Sequence, residues 1–142
     1  MLPKAGIACL DYSGDMIEQA KKRLHDNVNI SFIRGDVGSL PMDNNSFDMV
    51  LSMNGFHAFP DKKKAFREIL RVLKPGGKFI ACFYIKGKSK ITDWLVKNIL
   101  SKKGWFTPPF QTEEQLRSIL NRTYKDIDFN TDGSMVYFCC IK

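Results

Sequence analysis

An α/β fold on a mostly parallel sheet, closed by an antiparallel hairpin, is predicted from three observations. Apolar runs of strand length alternate along the 142-residue chain with segments of helical period. The runs are apolar enough to be buried, the longest being the seven residues from Phe79 to Ile85. The last two β-rich runs have Thr131-Asp132-Gly133 between them, a turn of hairpin length.

Gly6 to Leu10 is the first strand, stopping at Asp11. Ser13 is placed to cap a helix whose Met16, Ile17, Ala20 and Leu24 share one face, with Glu18, Lys21, Lys22 and Arg23 on the other. Glu18 and Lys22 stand at i, i+4 in the favourable orientation. His25-Asp26-Asn27 ends this helix, and Val28, Ile30 and Phe32 alternate with polar neighbours in a second strand reaching Arg34. Gly35-Asp36 closes that strand, and residues 40–45 are loop. Phe47 to Ser52 is a third strand, apolar on both sides after Asp48, which implies helices on both faces. Pro60-Asp61 opens the clearest helix, in which Phe66, Ile69, Leu70 and Leu73 recur at helical spacing. Lys74-Pro75-Gly76-Gly77 stops it with a basic residue, a breaker and glycines placed as a C-cap. Lys78 to Ile85 is a fourth, buried strand. A weaker helix is expected around Thr92 to Ser101, with Leu95 and Ile99 on one side, and Thr112-x-x-Gln115 starts another with a capping box. Strands near Tyr124 to Phe129 and Met135 to Ile141 complete the chain.

The composition, 44% hydrophobic, 12% aromatic and 26% charged, excludes disordered and collagen-like classes. No apolar run approaches the ~20 residues of a membrane-spanning helix. Met-Leu-Pro-Lys-Ala-Gly has no signal-peptide core, so one cytoplasmic domain over residues 1–142 is the expectation. The net charge of +7 suits an anionic partner: RNA, an acidic protein or a membrane surface. Basic residues are densest from Lys86 to Lys103, where only Asp93 opposes them, and a solvated face is the simplest reading of that run. Cys9, Cys82, Cys139 and Cys140 lack C-x-x-C spacing and read as reduced core thiols.

Ligands of open parallel sheets bind beyond the carboxyl ends of the strands, which makes Asp11, Asp36 and Ser52-Met53-Asn54 the residues to weigh. A carboxylate there can accept hydrogen bonds from ribose hydroxyls, and can equally close a turn or favour a helix N-terminus.

The order of four segments carries more information than any one of them. They are Leu10-Asp11-Tyr12-Ser13 with Met16, then Phe32-Ile33-Arg34-Gly35-Asp36-Val37 leading to Leu40-Pro41-Met42, then Ser46 to Ser52, and last Leu70 to Phe79 with Leu73-Lys74-Pro75-Gly76-Gly77. Together they resemble the class I S-adenosylmethionine-dependent methyltransferases, in particular the small-molecule branch that includes ubiquinone and menaquinone biosynthesis enzymes. The resemblance covers roughly residues 6 to 85 and implies a Rossmann-like methyltransferase sheet. It implies that Asp11 takes the ribose hydroxyls, that Tyr12 flanks the adenine, and that Asp36 and Val37 contact the adenine by carboxylate and backbone. Met53 matches a position near the methionine part of the cofactor.

One family feature has no counterpart. Members carry, before the strand matching Gly6 to Asp11, a first strand and a G-x-G-x-G loop opening a helix, and none of the ten glycines forms such a cluster. That unit corresponds to roughly the ~30 residues of a βαβ step. In the family order its strand lies between those ending at Asp11 and Ser52. A truncated, N-terminally incomplete domain is therefore expected to bind S-adenosylmethionine weakly and to leave sheet edges through which copies could associate.

Methyl transfer needs chiefly alignment of nucleophile, methyl carbon and sulfur. His57, in the loop that lines the acceptor pocket of the resembled family, is a weak candidate base and otherwise a packed histidine. Trp94, Trp105, Phe106 and Phe110 flank a segment that often forms an acceptor lid in the family, and ordinary packing explains them equally. Asp43-Asn44-Asn45 reads as a turn, and no metal is expected. The function expected is methyl transfer to a small-molecule acceptor. Its alternatives are a non-catalytic remnant serving binding or assembly, and an RNA-binding module using the lysine-rich segment; nucleic acid is the less expected partner.

Overall fold

The computed structural model describes residues 5–25 and 29–142. Asp26, Asn27 and Val28, expected at the end of the first helix and the start of the second strand, lie outside the described residues. Strand β1 (Ile7–Asp11) leads to Ser13, whose hydroxyl accepts the Met16 N–H and caps helix α1 (Gly14–Arg23). Glu18 pairs with Lys21 at 2.8 Å instead of with Lys22, because i+3 and i+4 neighbours are both within reach on a helix. Strand β2 (Ile30–Arg34) lies parallel to β1, with Asp11 opposite Arg34.

The other strands form a second sheet. Strand β3 (Phe47–Met53) pairs parallel with β4 (Leu73–Tyr84), and helix α2 (Lys62–Val72) makes the crossover that parallel neighbours require. Helix α3 (Lys90–Leu95) runs into a π-helical turn, Val96–Leu100, and helix α4 (Glu113–Thr123) starts from Thr112 with both halves of the capping box formed. Strands β5 (Lys125–Asp132) and β6 (Met135–Ile141) close the chain, with β6 antiparallel between β4 and β5. The order is β3-β4-β6-β5. Thr131 and Asp132, expected in the turn, extend β5 because the ladder pairs Asp132 with Met135; Gly133, at φ 52°, and Ser134 alone make the turn.

Two corrections concern the middle of the chain. Helix α2 ends one turn before the glycines: Leu73 is already extended, fully buried and paired with Phe47. Lys74 to Gly77 then loops out of the ladder, which resumes with Lys78 opposite Met49. The glycines serve that loop, Gly76 by its φ of 79° and Gly77 because a Cβ would stand 2.9 Å from the Lys74 carbonyl oxygen and 3.2 Å from that of Asp48. The second correction is that β3 is covered on one face only. Val50 packs against the core, whereas Met49, Leu51 and Met53 are each more than half exposed.

The core sits on one side of the four-stranded sheet. Phe79, Ala81 and Phe83 of β4 and Val136, Phe138 and Cys140 of β6 face Phe66 and Ile69 of α2 and Leu116 and Leu120 of α4. Cys140, with its Sγ 3.6 Å from the Phe79 carbonyl oxygen, has a thiol pushed up to about 12 by burial. All four cysteines are free. The expected single sheet is thus divided: among the described residues β1 pairs only with β2 and β3 only with β4. Among the described residues β1 and β3 are therefore both sheet edges.

Candidate cofactor and acceptor site

Parallel pairing places the carboxyl ends of β1 and β2 side by side, and four of the expected residues meet there. Asp11 ends β1, half-buried. Its Oδ1 accepts the Ser13 N–H at 2.8 Å, its carbonyl accepts the Gly35 N–H at 3.0 Å, and its Oδ2 has no hydrogen-bond partner among the described residues. The same carboxylate therefore shapes the turn into α1 and leaves one oxygen without a partner among the described residues. Tyr12 beside it is 77% exposed, with its carbonyl accepting the Arg34 Nε–H at 3.3 Å. Asp36 is exposed at the turn after β2, where its Oδ1 accepts the Gly38 N–H at 2.8 Å. Val37 turns inward against the core. Met53, the fifth expected residue, ends β3 in the other sheet, exposed and not joined to the first four by strand pairing.

The loop after Val37 is held by a pair that the sequence reading did not single out. Arg71 donates from Nε and Nη2 to the two Glu68 oxygens at 2.8 and 2.7 Å, and from Nη1 and Nη2 to the carbonyls of Met42 and Leu40 at 2.7 and 2.9 Å. Glu68 in turn accepts the Leu40 N–H at 2.8 Å. The Arg71 guanidinium holds the Glu68 carboxyl below the ordinary glutamate range. The one signal in the sequence is their i, i+3 spacing on the polar side of α2, which many solvent-facing pairs share.

A second cluster forms where the β3–α2 loop meets the connection between the π-helical turn and α4. His57 stacks on Phe106 with ring centroids 4.0 Å apart, and Phe106 and Phe110 both meet Tyr84 edge-on. The connection is tied down by Thr107, whose N–H donates to the His57 carbonyl at 2.8 Å and whose hydroxyl donates to the Ala58 carbonyl at 3.0 Å. Lys62 is buried, 7% exposed, and its Nζ donates to the carbonyls of Phe59 and Thr107 at 3.1 and 2.5 Å. It is the first residue of a Lys-Lys-Lys run whose other two members, Lys63 and Lys64, are exposed. The Tyr84 hydroxyl donates to Asp93 Oδ1 at 2.6 Å, and burial with that carboxylate raises its pKa. Trp94 and Trp105, in contrast, are not part of this packing and are 60% and 59% exposed.

His57 is thus held as an aromatic, with its Nδ1 buried and without a hydrogen-bond partner among the described residues. Burial, then the charge of Lys62, lowers its pKa. The folded state therefore binds fewer protons here than the unfolded chain, so this packing is fully stabilising above the ordinary histidine value of ~6.5 and weakens as pH falls through the lowered one. Acidification from about pH 7.5 to about 5.5 is expected to speed hydrogen exchange across residues 104–111, after correction for intrinsic rates. His57→Phe should flatten that response, and a response unchanged by the substitution would count against His57 as its source.

Two concavities share no lining residue with either cluster. One of about 460 Å³ is lined by Lys86, Lys88, Thr112, Glu113 and Arg117. The other, about 230 Å³, lies on the bare sheet face between Met53, Cys82 and Tyr137.

Residues 2–81 match a family model described as a methyltransferase domain. Over 127 residues the chain is 32% identical to the phthiotriol/phenolphthiotriol dimycocerosates methyltransferase of Mycobacterium leprae, covering 89% of this chain and 46% of that protein. It is 42% identical over 74 residues to a demethylmenaquinone methyltransferase of Staphylococcus epidermidis, covering 52% of this chain and 31% of the relative. The chain thus spans less than half the length of these relatives. Among solved structures, an S-adenosylmethionine-dependent methyltransferase of Thermotoga maritima superposes with a TM-score of 0.75 at 20% identity, over 95% of this chain and 72% of that one. The YcgJ protein of Bacillus subtilis gives 0.76 at 19% identity, over 95% and 81%. At such identities the structural likeness establishes the fold, a Rossmann-like α/β sheet.

Proposed function

Because the chain belongs to the methyltransferase domain family, we propose that it serves S-adenosylmethionine-dependent methyl transfer to an apolar small-molecule acceptor. The observation that carries this reading is Asp11, a half-buried carboxylate at the carboxyl end of a parallel strand with one oxygen committed to Ser13 and the other unpartnered among the described residues. Its free oxygen suits a ribose hydroxyl, the exposed ring of Tyr12 suits one side of the adenine, and Asp36 suits the adenine amino group. The residues present fit the adenosine half of the cofactor. When bound, its sulfonium supplies an electrophilic methyl group, so the protein contributes position more than chemistry.

For the methionine half the fit is poorer. No described glycines cluster as G-x-G-x-G, and Met53 stands on the far side of the divide between the sheets. We therefore place the affinity of this chain for S-adenosylmethionine at the order of millimolar. The acceptor side is the aromatic cluster of Phe106, Phe110 and Tyr84, and an apolar acceptor agrees with relatives named for demethylmenaquinone and for phthiotriol dimycocerosates. Calorimetry is expected to give weak binding for the chain as it stands and at least about tenfold weaker binding for Asp11→Ala, since a hydrogen bond to a charged group contributes about 1.5–3 kcal/mol. Low-micromolar binding, or binding indifferent to Asp11, would contradict this assignment.

A further inference from the structure

Helix α3 and the π-helical turn that continues it turn an apolar stripe to solvent. Ile91, Trp94, Leu95 and Ile99 recur at i, i+3, i+4 and i+8 and therefore share one face. Ile91 is 82% exposed and Trp94 60%, and Trp105 beyond the turn is 59% exposed. The opposite face anchors the segment: Val96 is buried, and Asp93 accepts the Tyr84 hydroxyl and the Gly87 N–H. Around the stripe stand Lys90, Lys97, Lys102 and Lys103, all exposed and none in an ion pair among the described residues. Lys103 lies over the Trp105 ring at 4.9 Å. A solvated basic face, the simplest reading of this run, would not carry exposed Ile and Trp.

We propose that this face docks on the surface of an anionic phospholipid bilayer. The apolar side chains enter the headgroup boundary, and the lysines meet the lipid phosphates. Three physical points favour lipid over the other anionic partners. RNA would use the tryptophans and lysines but leave the aliphatic Ile91, Leu95 and Ile99 in water. An acidic protein groove that engulfs a basic helix needs more than one free face, and Val96 and Asp93 hold the other face to the body of the protein. A bilayer needs one face only, and tryptophan beside lysine is the pairing that suits its interface. The inference goes beyond methyl transfer and does not depend on it, although the same segment leads through Trp105 into the connection stacked on His57.

The test uses the 142-residue chain with unilamellar vesicles of phosphatidylcholine, alone or with about one quarter phosphatidylglycerol. Trp94 and Trp105 are the two tryptophans of the chain, so their emission reports the surface directly. A blue shift and co-sedimentation are expected with the anionic vesicles, with binding at least about tenfold weaker to phosphatidylcholine alone. Ile91→Ser with Trp94→Ser should weaken anionic binding about tenfold while far-UV dichroism and Tm stay unchanged. Lys97→Glu with Lys102→Glu, which leaves the apolar stripe intact, should remove the preference for anionic lipid. Failure to sediment, equal binding to both vesicles, or emission already blue-shifted before lipid is added would overturn the proposal. So would tighter, variant-sensitive binding of an oligoribonucleotide. No cofactor or acceptor enters the assay, so its failure leaves the methyltransferase reading standing, and failure of that reading leaves this result intact.

Discussion

Phe56→Ala is expected to destabilise the chain by about 3–5 kcal/mol, a large part of the 5–15 kcal/mol that typically separates native from unfolded protein. Phe56 is fully buried although it lies in the loop after β3. Its ring centroid is 4.5 Å from Phe66 of α2, 4.9 Å from Phe59, 5.0 Å from Phe83 and 5.8 Å from Phe79 of β4. Truncation therefore opens a cavity at the junction of loop, helix and central strand, where several aromatic side chains lose a partner at once. Phe56 directly precedes His57, so its burial anchors the backbone that carries that ring. Chemical unfolding should show a lower midpoint with an unchanged slope, and Phe56→Leu should lose much less. A midpoint unaffected by Phe56→Ala would mean that this cluster does not hold the loop.

Arg71→Ala is the second large expected effect, and it acts on the proposed cofactor edge through the loop after β2. Removing the guanidinium deletes its bonds to Glu68, Leu40, Met42 and Asn44. The Glu68 carboxylate is left with the Leu40 N–H alone. Residues 36–44, which carry Asp36 and Val37, should then exchange amide hydrogens about tenfold faster, with a fall in Tm of roughly 5 °C. Arg71→Lys should rescue little, because an ammonium lacks the planar fork that engages two oxygens and two carbonyls together. Glu68 adds a pH signature. Its pKa lies below the ordinary value, so its contribution is present above about pH 4.3 and is lost as pH falls through the lowered value. Loop exchange as slow in Arg71→Ala as in the native chain would remove this pair from the account.

Local features were the most legible in the sequence, because their physics is local. Ser13 and Thr112 cap the helices they were expected to cap, and the first four strands fall close to where apolar runs place them. Asp11 and Asp36 come together because parallel pairing of consecutive strands brings their carboxyl ends into line. What the sequence concealed depends on contacts distant along the chain. Lys62 is buried by a segment 45 residues away, to which its own spacing gives no clue. The bare side of β3 was hidden for a related reason: Met49, Leu51 and Met53 look like core residues, and whether anything covers them is decided elsewhere. Trp94 misled in the same sense: ordinary packing would explain it, yet it is turned outward.

The central claim is that the carboxyl edge of β1 and β2 holds the adenosine half of S-adenosylmethionine while β3 stands apart. An amide-resolved NMR titration of the labelled chain with S-adenosylmethionine, to about 5 mM, tests it at the affinity expected. Shifts should concentrate at residues 11–13 and 36–38, with little change along Phe47–Met53, and Asp11→Ala should reduce them severalfold at the same concentration. Shifts centred on β3, or none at residues 11–13 and 36–38, would contradict the account.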